Sequence, residues 1–199
     1  MSNTERTFSP QAGDALILVD VQKDFLPGGL LALAEGDRII APLNRYIQLF
    51  LQASLPVFAT RDWHPQGHCS FTAQGGPWPP HCQQNTVGAE FADALQLPHD
   101  LTVISKATHR DKDAYSGFDG TELHDLLQRR EVKRLWVGGL ATDVCVLNTV
   151  TDACKLNYPV LLLEDAIAAV NQRPQDGVQA IQTMKDCGAN AITLSNVTE

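Results

Sequence analysis

The sequence predicts an α/β protein with three layers, in which helices cover both faces of a central, mostly parallel six-stranded sheet. Short apolar runs without polar alternation recur along the chain, as expected of strands that are buried on both faces. Between these runs, apolar residues return every three or four positions, as on one face of a helix. Regular alternation of strand and helix is typical of an open parallel sheet.

The first half of the chain contains three predicted strands and one predicted helix. The run ALILVD predicts the first strand, which ends at Asp20. Apolar residues from Ile39 to Leu51 then follow a helical spacing. The runs PVFAT at 56–60 and LTVISK at 101–106 predict the second and third strands.

The second half of the chain continues the alternation. Its predicted elements are a helix at 121–130, a strand at 132–140, a helix from Thr142 to about Asn157, a strand at 159–165, a helix from about Pro174 to Cys187 and a strand at 190–194. Basic residues end the first of these helices, where they suit the helix dipole. Cys154 and Cys187 are expected to fill the core.

Residues 61–90 interrupt this pattern. The segment is rich in Gly, Pro, Gln and His, shows no periodicity, and contains Trp63 and Trp78, two of the three tryptophans in the chain. A loop of this length within a compact domain is usually functional or disordered, and the tryptophans favour an ordered, functional loop. We therefore expect a single domain over residues 1–199, with a metal-binding excursion at about 61–90.

Composition excludes several classes of function. The net charge is −8 and no basic stripe is present, so binding to nucleic acid is not expected. No apolar run approaches the roughly 20 residues that span a bilayer, and the polar start MSNTERTFSP has no signal-peptide pattern. The five cysteines form no CxxC pair, which favours reduced thiols and a cytoplasmic location.

Four consecutive predicted strands end in side chains capable of chemistry. These are Asp20, then Asp62 with His64, then Lys106, and finally Cys145 at the start of a helix. In open α/β sheets, ligands bind in the crevice at the carboxyl ends of the strands. We therefore expect these groups to meet in one site, which solubility alone would not require.

Cys145 has two interpretations. Free cysteines are commonly buried in cores, and Cys154 keeps that interpretation. With Thr142 or Asp143 as the N-cap, however, Cys145 would lie in a first helical turn, where unpaired N–H groups stabilise a thiolate. Asp20 could accept the thiol proton and Lys106 could hold the resulting ion pair.

A metal site is indicated by Asp62, His64 and His81. One carboxylate and two imidazoles leave coordination positions open, as catalytic zinc sites require, although the same ligands also serve ferrous iron. His68 lies in the same loop and is an undecided fourth ligand. A structural zinc knot using the loop's cysteines is the alternative, but their spacing matches none of the usual patterns.

Five motifs give the chain a family resemblance. In order, DVQKDF, RDWHP, WPPHC, YSGF and GGLATDVCV resemble the nicotinamidase (pyrazinamidase) branch of the isochorismatase-like cysteine hydrolases, and the likeness covers nearly the whole chain. The resemblance implies the following roles: Asp20 as general base, Lys106 as the catalytic lysine, Cys145 as nucleophile, Asp62, His64 and His81 as metal ligands, Phe25 and Trp78 flanking the substrate ring, a cis peptide between Leu140 and Ala141 at the substrate pocket, and the Ala141 and Cys145 amides as the oxyanion hole.

The resemblance also implies an activity. Nicotinamide would be hydrolysed to nicotinate and ammonia through a thioester, and pyrazinamide would also be accepted. The enzyme would bind one divalent ion, Zn²⁺ or alternatively Fe²⁺ or Mn²⁺. It would form a homo-oligomer of unspecified size. Isochorismatases proper lack the metal triad. A related hydrolase of another small amide or carbamoyl compound is one alternative. A catalytically silent metal-binding module is an alternative of a different class.

Overall fold

The computed structural model describes residues 7–198; the first six residues of the polar N-terminal segment lie outside this range. Six strands form one sheet, and every neighbouring pair is parallel. The strands are β1 Asp14–Val19, β2 Val57–Asp62, β3 Thr102–Lys106, β4 Arg134–Leu140, β5 Val160–Ala168 and β6 Asn190–Ile192. The α-helices are α1 Ile40–Gln52, α2 Leu123–Arg129, α3 Leu147–Lys155 and α4 Asp176–Asp186.

The predicted elements are all present, with two notable differences in their bounds. β5 continues three residues beyond its predicted end, because a bulge opposite Val137–Gly139 accommodates the polar pair Glu164 and Asp165 before pairing resumes. The last helix starts at Asp176 instead of Pro174, since Gln175 has a left-handed backbone that no helix interior allows.

Helices cover both faces of the sheet. Side chains along β1 alternate between them: Leu16 and Leu18 pack in the core beneath α1, while Ile17 and Val19 pack against α2, α3 and α4. All four side chains are fully buried. Burial on both faces explains why the strand runs show no polar alternation in the sequence.

The strand order β3-β2-β1-β4-β5-β6 places a topological switch point between β1 and β4. The chain winds outwards from β1 to β3 and then returns to β4 on the other side of β1. Val19 pairs with Gly139 across this point. Gly139 has φ +127°, and a Cβ there would lie 2.1 Å from the Val19 carbonyl oxygen. The close approach of the two strand ends therefore requires glycine.

The irregular segment is well tied together. It runs from residue 63 to 101, because Arg61 and Asp62 belong to β2. The backbone N–H of His64 donates to the Cys82 carbonyl at 3.0 Å, and the Trp78 N–H donates to the Ser70 carbonyl at 3.0 Å. The segment thus folds back on itself beside the ends of β2 and β3, as a functional loop should.

Within residues 7–198, none of the helices is long and apolar enough to cross a membrane.

Cys154 and Cys187 are half-buried at the edge of the core rather than inside it, with their sulfurs 2.8 Å apart between α3 and α4. Burial, together with the neighbouring thiol, raises the pKa of Cys154 to about 12, so this thiol is poorly nucleophilic.

Candidate active site

A buried lysine lies at the centre of the site. Lys106 ends β3, and its side chain is fully enclosed. Its Nζ lies 2.9 Å from Oδ2 of Asp20, 2.5 Å from Oδ1 of Asp62 and 3.4 Å from Sγ of Cys145. Burial opposes the charged ammonium, but the two carboxylates and the cysteine raise the pKa of Lys106 well above its usual range. The surroundings of Lys106 therefore favour its charged form.

Asp20 follows β1 with a left-handed backbone, φ +48°, and its carboxylate is fully buried. Thr60 donates a hydrogen bond from Oγ1 to Oδ1 of Asp20 at 2.7 Å. Burial raises the pKa of Asp20, and the nearby Lys106 and the Thr60 hydrogen bond only partly offset that increase. A carboxylate with a raised pKa is a stronger proton acceptor than an ordinary aspartate.

Cys145 follows β4 in a tight turn. The turn Thr142–Val146 has π-helical hydrogen bonding and leads directly into α3. Ala141 is its N-cap, so the predicted Thr142 or Asp143 cap is wrong. The Asp143 carboxylate instead accepts the N–H groups of Val170 and Asn171 at 2.9 and 2.8 Å, and so holds the loop after β5 against this turn.

The expectation that the surroundings of Cys145 stabilise its thiolate is wrong. Burial and the neighbouring Asp20 raise the pKa of the Cys145 thiol well above its usual range, although Lys106 acts in the opposite direction. The environment therefore holds Cys145 as a thiol when no substrate is bound. Any nucleophilic role requires a base within reach, and Asp20 is a nearby carboxylate with a raised pKa.

The three predicted metal ligands meet beside this group. One ligand atom each from Asp62, His64 and His81 lies within 4.8 Å of the others, and all three residues are buried. Oδ2 of Asp62 is 3.6 Å from Nε2 of His64 and 3.8 Å from Nε2 of His81. Oδ1 of the same carboxylate faces Lys106, so Asp62 joins the two halves of the site.

The histidine nitrogens fit a metal. His81 donates from Nδ1 to the Pro79 carbonyl at 2.8 Å, which leaves the lone pair of Nε2 free to bind an ion. Within residues 7–198, neither ring nitrogen of His64 has a hydrogen-bond partner, although the residue is buried. Since a buried imidazole without partners is costly, the donor set fits a divalent cation.

His68 is used differently. Its ring lies 4.3 Å from that of His64 at a tilt of 35°, but its Nε2 donates to the Lys112 carbonyl at 3.1 Å. Its Nδ1 accepts from Ser70 at 2.7 Å. Because both nitrogens are engaged and the residue is not part of the ligand group, His68 supports the neighbouring ring in this structure.

A narrow pocket opens onto Cys145, with about 410 Å³ of empty space including its mouth. Phe25, Trp78 and Ala141, to which the family resemblance assigns substrate binding, line it. The peptide bond between Leu140 and Ala141 is cis, also as predicted. The side chain of Leu140, however, is fully buried in the core and does not line the pocket.

Sequence reasoning missed several participating residues. Thr60 lies within the predicted second strand, and nothing in its local pattern indicates the bond to Asp20. Asp113 and Tyr115 line the pocket, and Trp78 donates from Nε1 to the Tyr115 hydroxyl at 3.1 Å. The motif YSGF and its charged approach gave a signal for this rim, but not the individual contacts.

Comparisons with known proteins identify the family of the chain. The isochorismatase domain model matches residues 14–196. Escherichia coli nicotinamidase is 38% identical over 92% of this chain and 95% of its own length. Mycobacterium tuberculosis nicotinamidase/pyrazinamidase is 36% identical over 91% of this chain and 99% of its own. The crystal structure of Pyrococcus horikoshii pyrazinamidase in complex with zinc has a TM-score of 0.87 and 48% identity, covering 91% of this chain and 99% of that one.

A buried thiol beside two carboxylates and an ammonium, at the carboxyl edge of a doubly wound sheet, is an arrangement suited to nucleophilic catalysis. The family match covers most of the chain, and relatives above 30% identity span nearly their full lengths. The chain belongs to the isochorismatase family.

Proposed function

We propose that the protein is a metal-containing cysteine amidohydrolase that converts nicotinamide to nicotinate and ammonia, and that it also accepts pyrazinamide. The observation that carries this proposal is the position of Lys106 Nζ, in contact with Asp20, Asp62 and the sulfur of Cys145. The names of the similar enzymes support the choice of substrate. NAD salvage is the corresponding metabolic role.

Acylation uses the thiol and its neighbouring carboxylate. Asp20 accepts the Cys145 proton as sulfur attacks the carboxamide carbon, forming the carbon–sulfur bond. The amide N–H groups of Ala141 and Cys145 stabilise the oxyanion, a contribution of about 3–4 kcal/mol for one good donor. Asp20 then returns the proton to the departing nitrogen. The carbon–nitrogen bond breaks, ammonia leaves, and a thioester remains.

In deacylation, water is the nucleophile and the Cys145 sulfur is the leaving group. Asp20 accepts a proton from water as that water attacks the thioester carbon, and the proton then passes to the departing Cys145 sulfur. Lys106 keeps its charge throughout and stabilises whichever neighbour is anionic. The carbon–sulfur bond breaks, which releases nicotinic acid and restores the thiol; the acid then loses its proton to solvent and becomes nicotinate.

Phe25 and Trp78 are proposed to hold the pyridine ring. Both are buried aromatic residues on the pocket wall, and the Tyr115 hydroxyl fixes the Trp78 indole. Held ring planes reduce the entropy cost of placing the carboxamide carbon against sulfur. The cis-linked Ala141 lies on the same wall.

Asp62, His64 and His81 are proposed to hold one divalent ion, with zinc as the first candidate and iron or manganese as alternatives. When bound, the ion would supply a Lewis acid beside the substrate ring and the attacking water. We also propose a cytoplasmic location and a homo-oligomeric state; analytical ultracentrifugation tests the latter.

Ammonia release from nicotinamide, pyrazinamide and a panel of other small amides tests the function. Cys145→Ala should abolish turnover while leaving the circular dichroism spectrum unchanged. Cys154→Ala is the matched control, since this thiol lies between α3 and α4 and should be dispensable. Metal binding without ammonia release from any amide would favour the silent module instead.

A further inference from the structure

The pocket contains a carboxylate that the proposed reaction does not use. Asp113 lines the pocket together with Tyr115 and Trp78, and its side chain is half-buried. Among the described residues that line this pocket, none is a lysine or arginine. The catalytic cation, Lys106, is enclosed behind Cys145 and already contacts two carboxylates.

Asp113 is held in place by its neighbours. Its Oδ1 accepts the Ala114 N–H at 2.9 Å, and the Ala114 carbonyl accepts from Lys106 at 3.3 Å. The segment is thereby anchored directly to the reacting centre. A fixed carboxylate cannot easily turn away from a ligand that enters the pocket.

The charge of Asp113 has no lysine or arginine partner among the described residues. Within residues 7–198, no lysine or arginine forms an ion pair with Asp113. The neighbouring cations are engaged elsewhere, since Lys112 pairs with Asp119 at 2.9 Å and Arg110 donates to the Gly67 carbonyl at 3.3 Å. No lysine or arginine therefore offsets the Asp113 charge at the pocket.

The surface beside the pocket has the same character. A groove adjoins the pocket across a shared wall. The lining of this groove also contains carboxylates and, among the described residues, no lysine or arginine. The shared wall consists of Trp78, Tyr115, Val144 and Val170, and the outer residues are Asp143, Asn148, Gln172 and Asp176. An anionic ligand approaching from this side would meet like charge before it reached the sulfur.

We propose that Asp113 is a specificity residue that selects uncharged aromatic amides against amides that carry a carboxylate. The inference rests on the proposed amidohydrolase function and narrows its substrate class. A carboxylate on the substrate would lose water in the pocket without gaining a lysine or arginine partner, and would face Asp113; the ion proposed at Asp62, His64 and His81 is the one cation it could meet there. A neutral ring of the same shape meets neither penalty.

Two pyridines of equal shape test this directly. Pyridine-3,5-dicarboxamide is neutral, whereas 5-carbamoylpyridine-3-carboxylate differs only in carrying a charged group. Each is measured as a competitor of nicotinamide hydrolysis, and the ratio of the two inhibition constants is compared between variants. In the wild type the neutral compound should bind at least tenfold more tightly. Asp113→Asn should reduce this preference about three- to tenfold, as expected for one charge at intermediate distance.

Matched controls separate this effect from disturbance of the fold. Asp111→Asn removes an exposed charge from the same loop and should leave the ratio unchanged. If Asp113→Asn does not fold, Asp113→Ser keeps an acceptor for the Ala114 amide and serves instead. High salt should also weaken the wild-type preference.

The outcomes are distinct. An unchanged ratio in Asp113→Asn, equal binding of both compounds to the wild type, or failure of the neutral compound to compete overturns this inference alone, provided that nicotinamide is hydrolysed in a Cys145-dependent manner. If nicotinamide is not hydrolysed at all, the proposed function itself is wrong.

Discussion

Asp20 and Asp62 lie on either side of the same ammonium, at 2.9 and 2.5 Å from Lys106 Nζ, yet their pKa values move in opposite directions. Burial raises the pKa of Asp20. At Asp62 burial acts in the same sense, but Lys106 and the two histidines overcome it and hold the pKa well below its usual range. One carboxylate is thus suited to accept a proton and the other to remain an anion.

The first prediction concerns the proton acceptor. Asp20→Asn keeps the shape of the side chain but cannot take the Cys145 proton, so kcat should fall by about 10²–10⁴-fold. Asp24→Asn is the control, because Asp24 accepts the Cys82 and Leu30 N–H groups and does not contact Lys106. It should lower the melting temperature more than the rate per folded molecule. Near-normal turnover in Asp20→Asn would remove Asp20 from the mechanism.

The second prediction concerns pH. The Thr60 hydrogen bond favours the ionised form of Asp20, so Thr60→Val should raise the pKa of Asp20 further. Activity that needs ionised Asp20 is lost as pH falls through that pKa, so the acid limb of kcat/KM should move to higher pH. Thr149→Val removes another buried hydroxyl, which binds the Gly117 N–H, and should leave the limb in place. A limb unmoved in Thr60→Val contradicts the assignment.

The third prediction concerns stability. Lys106→Met leaves the carboxylates of Asp20 and Asp62 buried without their cation, which should cost about 3–5 kcal/mol of unfolding free energy at pH 7. Lys112→Met breaks an exposed pair with Asp119 and should change the stability little. Urea denaturation measures both variants. A Lys106→Met protein as stable as the wild type would show that the central ion pairs are weaker than their geometry implies.

The fourth prediction concerns the metal. The purified protein should contain about one divalent ion per chain, and His64→Ala should lose it, since that imidazole has two unpartnered nitrogens. His68→Gln should retain it, because His68 binds Lys112 and Ser70 instead. Elemental analysis of the two variants distinguishes these adjacent rings. Chelation that unfolds the wild type before activity declines would support the structural zinc alternative.

The fifth prediction concerns the switch point. Gly139→Ala would place a Cβ 2.1 Å from the Val19 carbonyl oxygen at a φ of +127°, and should cost on the order of 3–5 kcal/mol. Gly138→Ala would meet the Leu43 side chain at 3.0 Å and the Ala166 carbonyl oxygen at 3.1 Å, both looser contacts than at Gly139, and should cost less. Thermal unfolding ranks the two variants. Equal effects would contradict the tight approach of β1 and β4.

The fold was predictable because burial on both faces leaves a strong signal in the sequence. Runs such as ALILVD cannot belong to a half-exposed strand, and parallel order then follows from the intervening helices. The end of β5 was missed because a bulge accommodates Glu164 and Asp165, which look like a strand terminus. The true cap of the turn before α3 was missed because Asp143 bonds to a distant loop.

The site was predictable in its membership but not in its electrostatics. Parallel strand ends meet at one edge, so Asp20, Lys106 and Cys145 could be placed together from their positions in the chain. The protonation of Cys145 could not be predicted, since it depends on how completely burial outweighs one lysine. Thr60 and Asp113 contribute through contacts that no local pattern encodes.

The site is assembled from two parts of different origin. Asp20, Lys106 and Cys145 are fixed by the frame of the sheet, whereas His64, His81 and Trp78 belong to the segment between β2 and β3. Insertions or replacements in that segment can therefore reshape the ligand's surroundings without moving the groups that break bonds. Such a division gives a lineage of enzymes a means of diverging in substrate while preserving its reaction.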